Sequence, residues 1–157
     1  MKAPRGAESS TTSSLRRMQP DSRSGQPVVL VADALATNPD GLIPLVRNVG
    51  NWWLPGGRVE AGESFVAAAI REMAEETKLV LEPEGLVRLS QQTHGHRRVV
   101  FVTVRGSVTG DLARDPTDMK ISDVRWVAPD DLDRYVPEHA HHWRGLLTAP
   151  TIGEAME

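Results

Sequence analysis

Residues 56–76 place Gly56 and Gly57, then Glu63, Arg71 and the clustered Glu72, Glu75 and Glu76 at fixed spacing: Gly56-Gly57-Arg58-Val59-Glu60-Ala61-Gly62-Glu63, then Arg71-Glu72-Met73-Ala74-Glu75-Glu76. The segment constrains the fold because it demands a loop and a helix in register. Ser64 can cap a helix, and Phe65-Val66-Ala67-Ala68-Ala69-Ile70 contains neither Gly nor Pro. The spacing predicts a helix over Ser64–Lys78. At about 100° per residue, Val66, Ala69, Ile70, Met73 and Thr77 share a face suited to the core. Glu72, Glu75 and Glu76 stand at i, i+3 and i+4 on a neighbouring face, where like charges repel. A hard cation removes that conflict. Mg²⁺ (or Mn²⁺) takes oxygen ligands and keeps several waters, so it suits carboxylates that meet a phosphate.

The loop before the helix fits the same purpose. Pro55-Gly56-Gly57 is a turn signal, and glycine lets backbone approach a ligand closely, so the Gly56 carbonyl is a further candidate oxygen ligand. Arg71 lies away from the core stripe, where it can pair with Glu63 and orient it. An Arg-Glu-x-x-Glu-Glu run on a helix is usually just a solvated face. The whole spacing argues otherwise: six specified positions coincide by chance on the order of once in ten million starting positions.

These residues resemble a known family. Gly57-x5-Glu63-x7-Arg71-Glu72-Met73-x-Glu75-Glu76-x-Lys78-Leu79 resembles the Nudix box, Gly-x5-Glu-x7-Arg-Glu-U-x-Glu-Glu-x-Gly-U with U aliphatic. Every charged position matches. Lys78 stands where the family usually ends the helix with a left-handed glycine, a conformation that costs a lysine about 1 kcal/mol; otherwise the helix runs on toward Pro83. Gly50-Asn51-Trp52-Trp53-Leu54-Pro55 also looks like the approach to the box, and Ile121–Leu132 is similar to the family's late strand and turn into a final helix. Together the resemblance covers roughly residues 28–148.

The chain has 157 residues, enough for one domain with a sizeable core. Residues 1–27, rich in Ser, Thr, Arg, Gly and Pro, are expected to be a disordered tail. The expected domain spans 28–150, followed by a short C-terminal tail, 151–157. The first 27 residues hold five basic and two acidic residues, net +3, which leaves −6 for the rest. That acidic balance argues against nucleic acid as an obligatory partner. The Arg- and Ser-rich tail resembles an organellar transit peptide only in composition, for it lacks an amphipathic face. No apolar run is long enough to span a membrane, and the absence of cysteine excludes disulfides and is compatible with a cytoplasmic location.

Strands are expected at Val28–Leu35 and, after the turn Asn38-Pro39-Asp40-Gly41, at Leu42–Arg47 as its hairpin partner, with Pro44 marking an edge or bulge. Further strands are expected at Gly85–Ser90, Arg98–Arg105 and Val124–Val127, a loop at Gly106–Lys120, and a late helix between Pro137 and Pro150. This is an α+β pattern, an α/β/α sandwich. The resemblance implies the Nudix fold, a mixed central β-sheet flanked by helices.

The resemblance implies a divalent-metal-dependent pyrophosphohydrolase. Its substrate would be a nucleoside diphosphate linked to another moiety: a nucleotide sugar, ADP-ribose or a (d)NTP. Glu63, Arg71, Glu72, Glu75 and Glu76 are the candidate catalytic residues. Glu72, Glu75, Glu76 and Gly56 are the candidate metal ligands. The general base is left between a box glutamate and a loop acid such as Asp111, Asp115 or Asp118. Trp52, Arg58 and Arg97 are the candidate substrate-binding residues. Trp52 and Trp53 could stack on a nucleobase, although one of an adjacent pair usually packs in the core; His94, His96, Arg97 and Arg98 could bind phosphate but read more readily as a solvated strand start. His139, His141 and His142, beside Trp143, show no zinc spacing and read as surface histidines. A homodimer is left open. The alternative is a ligand-sensing domain without turnover, although such domains generally lose box carboxylates and this chain keeps them all. An isopentenyl diphosphate isomerase, of related fold, needs a catalytic cysteine that is absent here.

Overall fold

A computed structural model describes residue 25 and residues 27–154. The expected disorder of the N-terminal tail and the last three residues lie outside the described residues. The first strand, β1 (Val28–Thr37), alternates its two faces in the way a strand buried on both sides must: Ala32, Ala34 and Ala36 point one way, Leu35 the other. It pairs in parallel with β6 (Arg97–Thr109) and antiparallel with β4 (Gly56–Arg58). On its other side β6 pairs antiparallel with β5 (Val80–His94), which takes β8 (Gly153–Glu154) at its far edge. The result is a mixed five-stranded sheet, β4-β1-β6-β5-β8. A second, antiparallel sheet runs β3-β2-β7, built from β2 (Ile43–Asn48), β3 (Asn51–Trp53) and β7 (Ile121–Val127).

Helix α1 (Phe65–Thr77) covers one face of the large sheet. Val66, Ala68, Ala69 and Met73 pack on the small side chains of β1 and on Leu79, Leu81, Val104 and Val108. The alanines let helix and sheet approach closely. The opposite face carries a second core: Leu35, Ile43, Leu45 and Val87 pack against Leu132 of α2 (Leu132–Tyr135) and Ala140, Trp143 and Leu146 of α3 (Ala140–Leu146). Helices therefore lie on both sides of the sheet, an α+β sandwich.

Three expectations need correction. β2 does not form a hairpin with β1. The turn closes locally, with the Asn38 N–H donating to Leu42 O and Asn38 Oδ1 accepting from the Leu42 N–H, but the chain then crosses into the other sheet. Pro44 is tolerated because β3 flanks β2 only from Val46 to Asn48. Ile70, expected in the core, is 37% exposed, and Ala68 takes its place. The expected loop at Gly106–Lys120 begins later, since β6 runs to Thr109, and β5 passes Pro83 by a register shift between Pro83 and Gly85. Lys78 does take the left-handed conformation, at φ 64°, and its N–H closes the helix on Ala74 O.

Candidate active site

Ser64 Oγ accepts from the Ala67 N–H at 3.0 Å and fixes the start of α1, so the side chains of its second and third turns face β4. Gly56 and Gly57 lie in β4 rather than in a turn, and both are glycine for want of space. A Cβ on Gly56 would stand 2.5 Å from Ala32 O, in the backbone of β1. A Cβ on Gly57 would strike the carboxylate of Glu72. The box glycine thus seats a carboxylate.

Arg71 gathers the acids. Its Nε donates to Glu63 Oε2 at 2.8 Å and Nη2 to Glu63 Oε1 at 3.0 Å, a two-point grip on one carboxylate. Nη1 donates to Glu72 Oε1 at 2.9 Å and to Glu75 Oε2 at 3.2 Å, while Nη2 also reaches Arg58 O at 3.0 Å. Arg71 therefore performs part of the charge neutralisation that the sequence pattern assigns to a cation. The guanidinium and the Glu60 N–H hold Glu63 down to a pKa of about 2.

Glu76 is the outlier. It is buried, with Oε2 lacking any hydrogen-bond partner. Burial first, and then the neighbouring Glu72 carboxylate, push its pKa far above the usual carboxylate range; Asp118 of the long loop adds to the same effect. Of the loop acids, Asp118 is thus the one whose charge bears on the site. Asp115 is engaged elsewhere, accepting from the Thr117 hydroxyl and N–H and from Lys78 Nζ at 3.3 Å, which tie the loop to the end of α1.

These features test whether a divalent cation fits. An orphaned buried oxygen, a carboxylate seated against a glycine and an all-oxygen donor set suit a hard cation. Among the described residues, no three acidic or histidine side chains converge as a ready-made ligand cage. Arg71 holds Glu72 and Glu75 instead, and Glu75 is 57% exposed.

Beside Glu76 and Gly56 a cleft of about 550 Å³ opens over the second face of the large sheet. Asp33, Arg88 and Phe101 contribute to its lining from the sheet, and Trp53, His139 and Trp143 from the other side. His139 lies parallel to Trp143 at 5.3 Å and tilted to Trp53 at 5.7 Å. His141 and His142 are exposed, but His139 is half-buried in this stack, which corrects the surface reading for that residue. Trp52 packs edge-on to Tyr135 at 5.4 Å, beneath Arg125, beside a neighbouring depression. Arg58 borders a shallow hollow near Glu60–Glu63, and Arg97 sits at the exposed β5–β6 hairpin opposite His94. The structure does not bring Trp52, Arg58 or Arg97 to the main cleft.

Asp33 was not singled out from the sequence, though a signal was present: it is the sole charged residue in the apolar run Val28–Leu35. No helix of the described residues is long and apolar enough to cross a membrane.

The NUDIX domain model matches residues 27–147. A MutT-like protein of Streptomyces ambofaciens is 28% identical over 123 residues, 76% of this chain and 77% of that protein. The human 8-oxo-dGDP phosphatase NUDT18 is 43% identical over 53 residues, which are 34% of this chain and only 16% of that longer protein. A nudix hydrolase of Caenorhabditis elegans is likewise matched over 22% of its length. The structure of the MutT protein from Methanosarcina mazei Go1 superposes at a TM-score of 0.65 with 21% identity, over 80% of this chain and 99% of that one, and so shares its fold. With the box geometry and the family model in agreement over most of the described residues, the chain belongs to the Nudix hydrolase family, whose members generally use divalent metal ions.

Proposed function

We propose that this chain is a pyrophosphohydrolase that cleaves the diphosphate linkage of a nucleotide, either a (d)NTP or a nucleoside diphosphate joined to another group, with Mg²⁺ or Mn²⁺ as cofactor. The observation that carries this reading is Glu76: a buried carboxylate with an orphaned oxygen beside a cleft, next to a second carboxylate seated on Gly57. The names of the relatives, an 8-oxo-dGDP phosphatase and MutT-like proteins, support a nucleotide substrate.

Glu72, Glu75, Glu76 and the Gly56 carbonyl would hold the cation, which supplies neutralisation of phosphate oxygens and a more acidic water. The chain's own groups do the rest. Arg71 keeps Glu63 ionised and oriented, and restrains Glu72 and Glu75 until a stronger positive charge competes for them. Burial favours the protonated form of Glu76; positive charge brought beside it would favour the carboxylate, which could then accept a proton at Oε2 from an attacking water. The cleft beside Glu76 would take the nucleoside end, with the aromatic stack as a flat surface for a base.

A phosphate-release screen over (d)NTPs, nucleotide sugars, ADP-ribose, dinucleoside polyphosphates and NADH, with Mg²⁺ or Mn²⁺, tests the reading. Turnover of at least one should fall by at least about 10²-fold in Glu76→Gln. A wild type that turns over nothing, or a variant that matches it, sinks the assignment.

A further inference from the structure

The main cleft holds one feature that diphosphate hydrolysis leaves unexplained. Asp33, in the middle of β1, is half-buried where it lines the cleft, and its Oδ1 is buried without a hydrogen-bond partner. The Thr103 hydroxyl on the adjoining strand, in register with Asp33, is also buried and unpartnered. The two groups influence one another without forming a hydrogen bond of ordinary geometry. Buried polar atoms are nearly always satisfied, so an unpartnered oxygen at the wall of a cleft is open to a donor on a bound molecule. The charge that bears most on Asp33 is Arg88 of β5, not a glutamate of α1. On β1 Asp33 stands in register with Gly56, and it lines the same cleft as Glu76, Arg88 and the aromatic stack.

The chemistry offered there is specific. A carboxylate presents acceptors and asks for N–H donors. Arg88 is half-buried and has one described hydrogen bond, Nη2 to Ser90 Oγ at 3.1 Å, leaving other donors for a carbonyl. The aromatic stack of Trp53, His139 and Trp143 supplies a wall for a flat ring. Of the common bases, a guanine-type ring alone combines two adjacent N–H donor groups, the ring N1–H and the exocyclic amine, with a neighbouring carbonyl. Adenine offers the amine beside an acceptor, which would face the carboxylate with repulsion.

We propose that Asp33 is the specificity-determining residue of the cleft, accepting from the N–H edge of a guanine-type base while Arg88 donates to its carbonyl. The inference rests on the reading of the chain as a nucleotide hydrolase but is tested separately from it, by binding in the absence of metal.

The experiment titrates GMP, IMP, AMP and UMP into the whole protein in EDTA, by calorimetry and by the fluorescence of the cleft tryptophans. A parallel series uses Asp33→Asn. The wild type is expected to bind GMP at least about tenfold more tightly than AMP, with IMP, which lacks the exocyclic amine, between them. Asp33→Asn, which places an amide donor there, should level or invert that order. Its fold is checked by thermal melting, and loss of an orphaned charge should leave it no less stable. Equal binding of GMP and AMP by the wild type, binding of none of the four, or an unchanged order in the variant would overturn the proposal. So would a variant that alters the Mg²⁺ requirement of turnover while keeping the base order. Absence of turnover alongside the expected order would defeat the hydrolase reading only, whereas turnover without base preference would defeat this inference only.

Discussion

Asp33→Asn also makes a stability prediction that needs no substrate. Burial raises the Asp33 carboxyl from 3.8 to about 6, with the Thr103 hydroxyl and the Arg88 charge drawing it partly back. Because the folded-state pKa is raised, the folded chain binds the proton more tightly than the unfolded chain. Below about pH 3.8 both states are protonated and the carboxyl costs nothing. Between about 3.8 and 6 the unfolded chain alone ionises, so stability falls as pH rises, and above about 6 the full cost is present. Two pKa units correspond to about 3 kcal/mol. The asparagine amide is neutral throughout, and its own unpaired donors cost about the same at every pH. The advantage of Asp33→Asn over the wild type should therefore grow by about 3 kcal/mol between roughly pH 3.5 and pH 7.5, on the order of 10 °C in Tm. Urea melts of both proteins in EDTA, followed by tryptophan fluorescence, measure the difference directly. Other acids titrate in both proteins and cancel. A pH-independent difference, or one that shrinks as pH rises, refutes the claim that desolvation in β1 raises the Asp33 carboxyl.

The glycines of β4 separate stability from catalysis. Gly57→Ala meets only the end of the flexible Glu72 side chain, so it should cost under about 1 kcal/mol in melts yet lower turnover by about tenfold or more, whereas Gly56→Ala meets the backbone of β1 and should lose about 1–3 kcal/mol. A Gly57→Ala protein that keeps full activity would contradict a role for a seated Glu72. Lys78→Gly removes a left-handed lysine worth about 1 kcal/mol of strain and a half-exposed ion pair with Asp115 worth about 0–1 kcal/mol, so chemical denaturation should show it equal to or slightly more stable than the wild type. Arg71→Ala should lower Tm by leaving Glu63, Glu72 and Glu75 unneutralised, and the rise in Tm on adding Mg²⁺ should then exceed that of the wild type. An equal rise in both would mean that Arg71 and the cation do not act on the same carboxylates.

What could be read from the sequence was whatever depends on near neighbours. The cap at Ser64, the acidic face and the buried Val66, Ala69, Met73 and Thr77 all follow from the 3.6-residue period. Ile70 escaped because apolarity marks a stripe but not its width, and the tight approach of α1 to β1 leaves room in the middle only for alanine. The supposed β1–β2 hairpin failed for a different reason: Asn38-Pro39-Asp40-Gly41 does turn the chain, but which strand β1 pairs with is settled by β6, about seventy positions later, and no local signal reports that. The same distance hid the cleft. His139, Trp143 and Trp53 become one stack only when α3 and β3 meet, and Asp33 acquires a meaning only when Thr103 and Arg88 arrive beside it. The box itself shows the limit most clearly. Spacing placed three like charges on one helix face and suggested an external cation as their remedy. Folding supplies an internal remedy first, because Arg71, next in sequence to Glu72, curls back to reach Glu63, Glu72 and Glu75 together. Glu76 alone is left beyond its reach, buried and unsatisfied. The charge that the fold leaves uncompensated, rather than the whole acidic run, is therefore where added positive charge gains most, and Glu76 is the residue on which the chemistry of this site should turn.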